Sequence, residues 1–88
     1  MSRRENVNKR KFLEKICNNN KNVNFYDLVA IIEAFGFFQI RTKGSHHIFA
    51  RDGVYDLVNI QNEKGEVKPY QVTQFLKIIE KFNLELED

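Results

Sequence analysis

The sequence predicts an α+β fold, a two-layer sandwich in which two helices cover one face of a three-stranded antiparallel sheet and an extra helix precedes them. Two amphipathic segments, residues 25–35 and a helix opening at Pro69, flank three runs rich in β-formers. The runs are separated by Lys43-Gly44 and Asp52-Gly53, connections short enough to require antiparallel hairpins. A chain of 88 residues suits one domain. Two helices can cover only one face of such a sheet, so the other face is left open.

Each element follows from local chemistry. The first helix, about residues 7–17, has Phe12, Leu13, Ile16 and Cys17 at i, i+1, i+4 and i+5, a narrow apolar stripe that assigns Cys17 to packing. The asparagine-rich run at 18–22 ends it. In the second helix Asn24 is the N-cap, and Asp27 places a negative charge at the positive end of the helix dipole. Phe25, Leu28, Ile32 and Phe35 form its buried stripe, widened by Val29 and Ile31, and Gly36 stops it. Strands at 37–42, 45–51 and 54–61 follow, then a polar loop at 61–68. Pro69 suits the first position of the last helix, whose face is Val72, Phe75, Leu76, Ile79 and Phe82 and whose terminator is Asn83. The acidic tail, 84–88, is expected to fray.

Composition narrows the function classes. Hydrophobic residues make up 42 % and charged residues 30 %, a globular balance that excludes disorder over most of the chain. A single cysteine excludes an internal disulfide framework. No apolar run approaches the ~18 residues of a membrane-spanning helix, and the opening residues are too polar for a secretory signal, so the expected compartment is the cytoplasm. Charge divides the chain in two. Residues 1–22 carry seven bases against two acids, a basic extension with a short helix; residues 23–88, the folded domain, carry seven bases against ten acids. A basic arm suits a polyanion, although a solvated helix face has the same composition.

Gly44-Ser45-His46-His47 is the one chemically pointed cluster. Two histidines open a strand directly after a glycine turn, where an imidazole can take and give a proton near neutral pH. Arg41 and Lys43 lie just upstream, in position to hold a phosphate or stabilise developing negative charge. Successive strand residues point to opposite faces, so the histidine pair cannot readily chelate one ion, and no Asp, Glu or Cys stands at metal-ligand spacing. Two placements are open. If Ile48 and Ala50 face the helices, His47 is the ring on the open face; burial of Phe49 instead reverses the two. The mixture of Phe37, Phe38, Arg41, Lys43 and Phe49 fits either single-stranded RNA or plain strand packing.

The run Gly36-Phe37-Phe38, followed by Arg41-Thr42-Lys43-Gly44-Ser45-His46-His47-Ile48-Phe49, resembles the signature of HicA toxins, the toxin halves of HicA/HicB type II toxin–antitoxin systems. The similarity runs through Val58-Asn59-Ile60 and the last helix, about residues 25–83. It implies a double-stranded-RNA-binding-domain-like (dsRBD-like) α-β-β-β-α fold and a ribosome-independent mRNA interferase, an RNA endonuclease that needs no metal or other cofactor. It also implies mRNA as substrate and a HicB-type antitoxin as the partner that masks the site. The family's essential histidine falls on His46, or on His47 in some members; Arg41, Lys43, Gly44 and Ser45 would contact RNA. The chain departs from many relatives at Val58-Asn59-Ile60-Gln61, where they have Val-Pro-x-His, and at Pro69-Tyr70, where they have Gly-Thr. A non-catalytic RNA- or protein-binding module of the same fold is the alternative.

Overall fold

The computed structural model describes the backbone of residues 2–87 and the side chains of residues 9–87. Arg3, Arg4 and Glu5, whose charges belong to the basic extension, therefore have side chains outside the described residues, and so does Asp88. The elements are α1 (Ser2–Asn18), β1 (Val23–Asn24), α2 (Phe25–Ala34), β2 (Phe38–Lys43), β3 (His46–Arg51), β4 (Val54–Gln61), β5 (Glu66–Val67) and α3 (Pro69–Lys81). Strands β2, β3 and β4 form an antiparallel sheet in that order. With a helix on either side in sequence, this is the dsRBD-like α-β-β-β-α sandwich, preceded by an extra helix.

Local signals account for most boundaries. Asn24 caps α2, its Oδ1 accepting the Asp27 N–H at 3.0 Å. Gly36 leaves the helix at φ +89°, a region that costs a side chain and not a glycine. Pro69 stands at the start of α3, where its missing N–H would have had no partner. The helix layer buries Leu28, Ile31 and Ile32 of α2, Phe35 at its C-cap, and Val72 and Phe75 of α3 against Phe49, Val58 and Ile60 of the sheet. Phe75 holds the layers together edge-on, its centroid 5.9 Å from Phe35 and 6.1 Å from Phe37. Fully burying each such ring is worth about 2–3 kcal/mol.

Three expectations need correction. Helix α1 starts at Ser2 and not near residue 7, and it docks through Ile16, with Phe12 and Leu13 half-buried beside it; Cys17 is exposed, because the buried stripe ends one position short of it. The polar loop at 61–68 contains β5, which pairs with β1 in a second small sheet, Val23 opposite Val67 and Asn24 opposite Glu66. The Phe25 N–H also donates to the Gly65 carbonyl at 2.8 Å. Residues 84–87 of the tail do not fray. Asn83 turns at φ +54°, Leu84 and Leu86 pack on the core, and the Glu87 N–H donates to the Ala34 carbonyl at 2.8 Å. Two leucines in an otherwise acidic tail give it enough apolar area to return.

Candidate functional site

The β2–β3 hairpin closes on two residues, Gly44 and Ser45, between the paired Lys43 and His46. Gly44 has φ +61°, the sign that a tight hairpin of this twist demands at its first central position. The Ser45 carbonyl accepts the Asn62 N–H at 3.1 Å, which ties the start of β3 to the end of β4. Gln71 of α3, a buried polar side chain, secures the same corner: its Oε1 accepts the Gln61 N–H at 2.9 Å.

Phe49 decides which way the histidines point. It is fully buried and stands opposite Val58, so it faces the helices. Alternation then places His47, opposite Ile60, on the helix side and His46 and Ile48 on the open face. The placement with Ile48 and Ala50 toward the helices is thereby excluded. The reason lies across the strands. Phe49 and His47 have the apolar neighbours Val58 and Ile60, whereas Ile48 is flanked by Arg41 and Asn59, polar groups that are costly to bury. His47 is half-buried, its ring 4.8 Å from the Phe25 ring at a tilt of 56°, with Tyr26 edge-on to Phe25 at 5.2 Å.

A bulge brings the cations to His46. Phe38 pairs with Ala50 and Gln39 with Phe49, but Ile48 is met by Arg41, so Ile40 is the inserted residue. Without the insertion, Arg41 and Lys43 would lie on the opposite face from Phe38. With it, Phe38, Arg41 and Lys43 share the open face, and Lys43 stands directly opposite His46. On the other side of His46 lies Gln61, and diagonally Asn59, whose Oδ1 is 3.2 Å from His46 Nδ1. An amide oxygen only accepts, so this contact suits the neutral tautomer that donates Nδ1–H to Asn59 and leaves Nε2 free of a protein partner among the described residues.

Of the residues singled out from sequence, the structure gathers Arg41, Lys43 and His46 on one face, with Gly44 and Ser45 as the adjoining exposed turn, and separates His47 from them. Asn59 and Gln71 were not foreseen. An Asn between Val58 and Ile60 was a visible polar interruption, but only the register shows that it reaches His46. Nothing in the sequence marks Gln71. The strand residues of the open face include no carboxylate: Asp56 bonds Lys81 of α3 at 3.1 Å, Glu63 pairs with Lys68, Glu87 with Arg51, and Asp27, Glu33 and Glu80 ride on helices. These six acids thus leave the cations of the open face unopposed by a strand carboxylate. Among the described residues no group of His, Cys, Asp or Glu is assembled for a metal ion, and no helix is long and apolar enough to cross a membrane.

Residues 25–80 match the model of the family described as the HicA toxin of bacterial toxin-antitoxin systems. No curated protein and no solved structure gives a significant match.

Proposed function

The chain belongs to the HicA toxin family, and from that premise we propose that it is a ribosome-independent mRNA interferase in which His46 is the general acid–base. Membership makes it the toxin of a toxin–antitoxin pair, with an antitoxin as partner. The observation that carries the nuclease reading is the setting of His46. Its Nδ1 is engaged by Asn59, its Nε2 has no protein partner among the described residues, and Lys43 and Arg41 flank it on a face whose strand residues include no carboxylate.

In the proposed step the ribose 2′-hydroxyl gives its proton to Nε2 of His46 while its oxygen bonds to the adjacent phosphorus. The bond from phosphorus to the 5′ oxygen breaks, and that oxygen takes up a proton, from the imidazolium or from water. The products are a 2′,3′-cyclic phosphate and a 5′-hydroxyl end. Lys43 and Arg41 hold the phosphate and offset the negative charge that builds up on it. Gly44 and Ser45 let the strand approach the turn closely. The basic extension, residues 1–22, adds phosphate contacts through Lys11, Lys15 and Lys21, all exposed. His47 is the rival for the proton-transfer role, but its ring packs against Phe25 on the far face from Arg41 and Lys43.

Induced expression with and without the antitoxin, followed by mapping of transcript ends, tests the reading. Growth arrest relieved by the antitoxin, with 5′-hydroxyl ends at the cuts, is expected. Intact transcripts and unaffected growth would show it to be wrong, leaving a non-catalytic RNA- or protein-binding module.

A further inference from the structure

The open face carries more than the histidine and its cations. At the end of the sheet away from Gly44, Phe38 stands opposite Ala50 and is 50 % exposed. Between it and His46 lie Ile40, 47 % exposed, and the half-buried Ile48, with Leu57, 48 % exposed, alongside. Phe37, its chain neighbour, is in the core at 3 %. Burial would stabilise a phenylalanine, yet this ring rests beside an alanine too small to cover it. The bulge at Ile40 puts that ring in one row with Arg41 and Lys43.

Building on the ribonuclease reading, we infer that this face takes single-stranded and not duplex RNA, with one base stacked on Phe38 a few nucleotides from the phosphate at His46. From Ala50 to His46 the strand advances four residues, about 13 Å, a span that an extended single strand crosses in a few nucleotides. RNA supplies what the row needs in order: a ring face for Phe38, ribose and base surface for Ile40 and Ile48, and phosphates for Arg41 and Lys43. A duplex keeps its bases stacked on each other and offers no free ring to a flat sheet. A protein surface that covered Phe38, Ile40 and Leu57 would need carboxylates of its own beside them to meet Arg41 and Lys43. RNA brings anion and apolar ring along one strand.

The test uses full-length protein carrying His46→Ala, so that RNA stays intact, and a non-cleavable 2′-O-methyl single strand with a fluorescent adenine analogue placed at successive positions. Quenching confined to one region of the strand is expected. In the same background Phe38→Ala should bind about ten-fold more weakly and lose that quenching, Phe38→Tyr should retain both, and a blunt duplex of the same sequence should bind more weakly than the single strand. Equal affinity of the Phe38→Ala protein, or duplex binding as tight as single strand, overturns the inference. So does a Phe38→Ala effect seen only on the complex with the antitoxin, which would make the face a protein interface. If the single strand binds as expected while the parent protein never cuts RNA, the stacking platform stands and the nuclease reading fails.

Discussion

His46 on β3 and Asn59 on β4 meet diagonally across the open face of the sheet, with Nδ1 of the imidazole 3.2 Å from the amide oxygen. The contact favours the tautomer that donates Nδ1–H to the amide oxygen, with Nε2 left free of a protein partner among the described residues. Asn59 is therefore a positioning residue. Asn59→Leu removes the acceptor and keeps the side chain's bulk on an exposed position, so the fold should persist. RNA cleavage should fall about ten-fold through kcat, a fraction of what general acid–base catalysis is worth. The nitrogen shifts of the His46 ring in NMR should move toward a tautomer mixture. Unchanged ring shifts would mean that Asn59 does not set the tautomer.

The Gly44 turn makes a backbone prediction. A Cβ at Gly44 would meet no atom within 4 Å, so the cost of Gly44→Ala is conformational and not steric. At φ +61° that cost is about 1–2 kcal/mol. Denaturant melting should report it. A neutral substitution would mean that the hairpin relaxes into another turn.

The two faces of β3 should respond oppositely to truncation. Phe49→Ala opens a cavity under both helices and should cost about 3–5 kcal/mol, a large share of the 5–15 kcal/mol typical of a domain. Ile48→Ala, half-buried on the open side, should cost much less. Comparable losses at the two positions, measured by chemical denaturation, would contradict the assignment of faces on which the location of His46 rests.

The returning tail is a further stability element. Glu87 donates its N–H to Ala34, its carboxylate lies 3.9 Å from Arg51, and Arg51 Nη1 donates to the Phe35 carbonyl at 2.7 Å. Deleting residues 84–88 removes the two Glu87 links, leaves the Arg51–Phe35 bond in place, and strips away the apolar contacts of Leu84 and Leu86 with the core, for a loss of about 2 kcal/mol. A thermal melt of the truncated chain at unchanged midpoint would show that the tail contributes nothing.

What could be read ahead of the structure is what local chemistry decides. Asn24 and Asp27, three residues apart, announce the cap that forms; Pro69 and the apolar spacing after it announce α3; Gly44 and the Asp52-Gly53 pair announce the hairpins. The motif around His46 pointed to the family whose model matches residues 25–80. What escaped depends on distant partners. Strands β1 and β5 are two residues each and exist only because Val23 and Val67 meet across 44 positions of sequence. The bulge at Ile40 shifts the parity of β2, so a simple alternation assigns Arg41 and Lys43 to the wrong side of Phe38. Either histidine could be the open one until Phe49, Val58 and Ile60 were seen to share the buried face.

The central claim is that one imidazole, that of His46, moves the proton. RNA cleavage by purified His46→Ala and His47→Ala proteins, each first checked for an intact fold, tests it most directly. His46→Ala should lose at least about 100-fold in rate and no longer arrest growth, while His47→Ala should keep most of its activity. A His46→Ala protein that cuts RNA at the parent rate, or a folded His47→Ala protein that alone is inert, would contradict the claim.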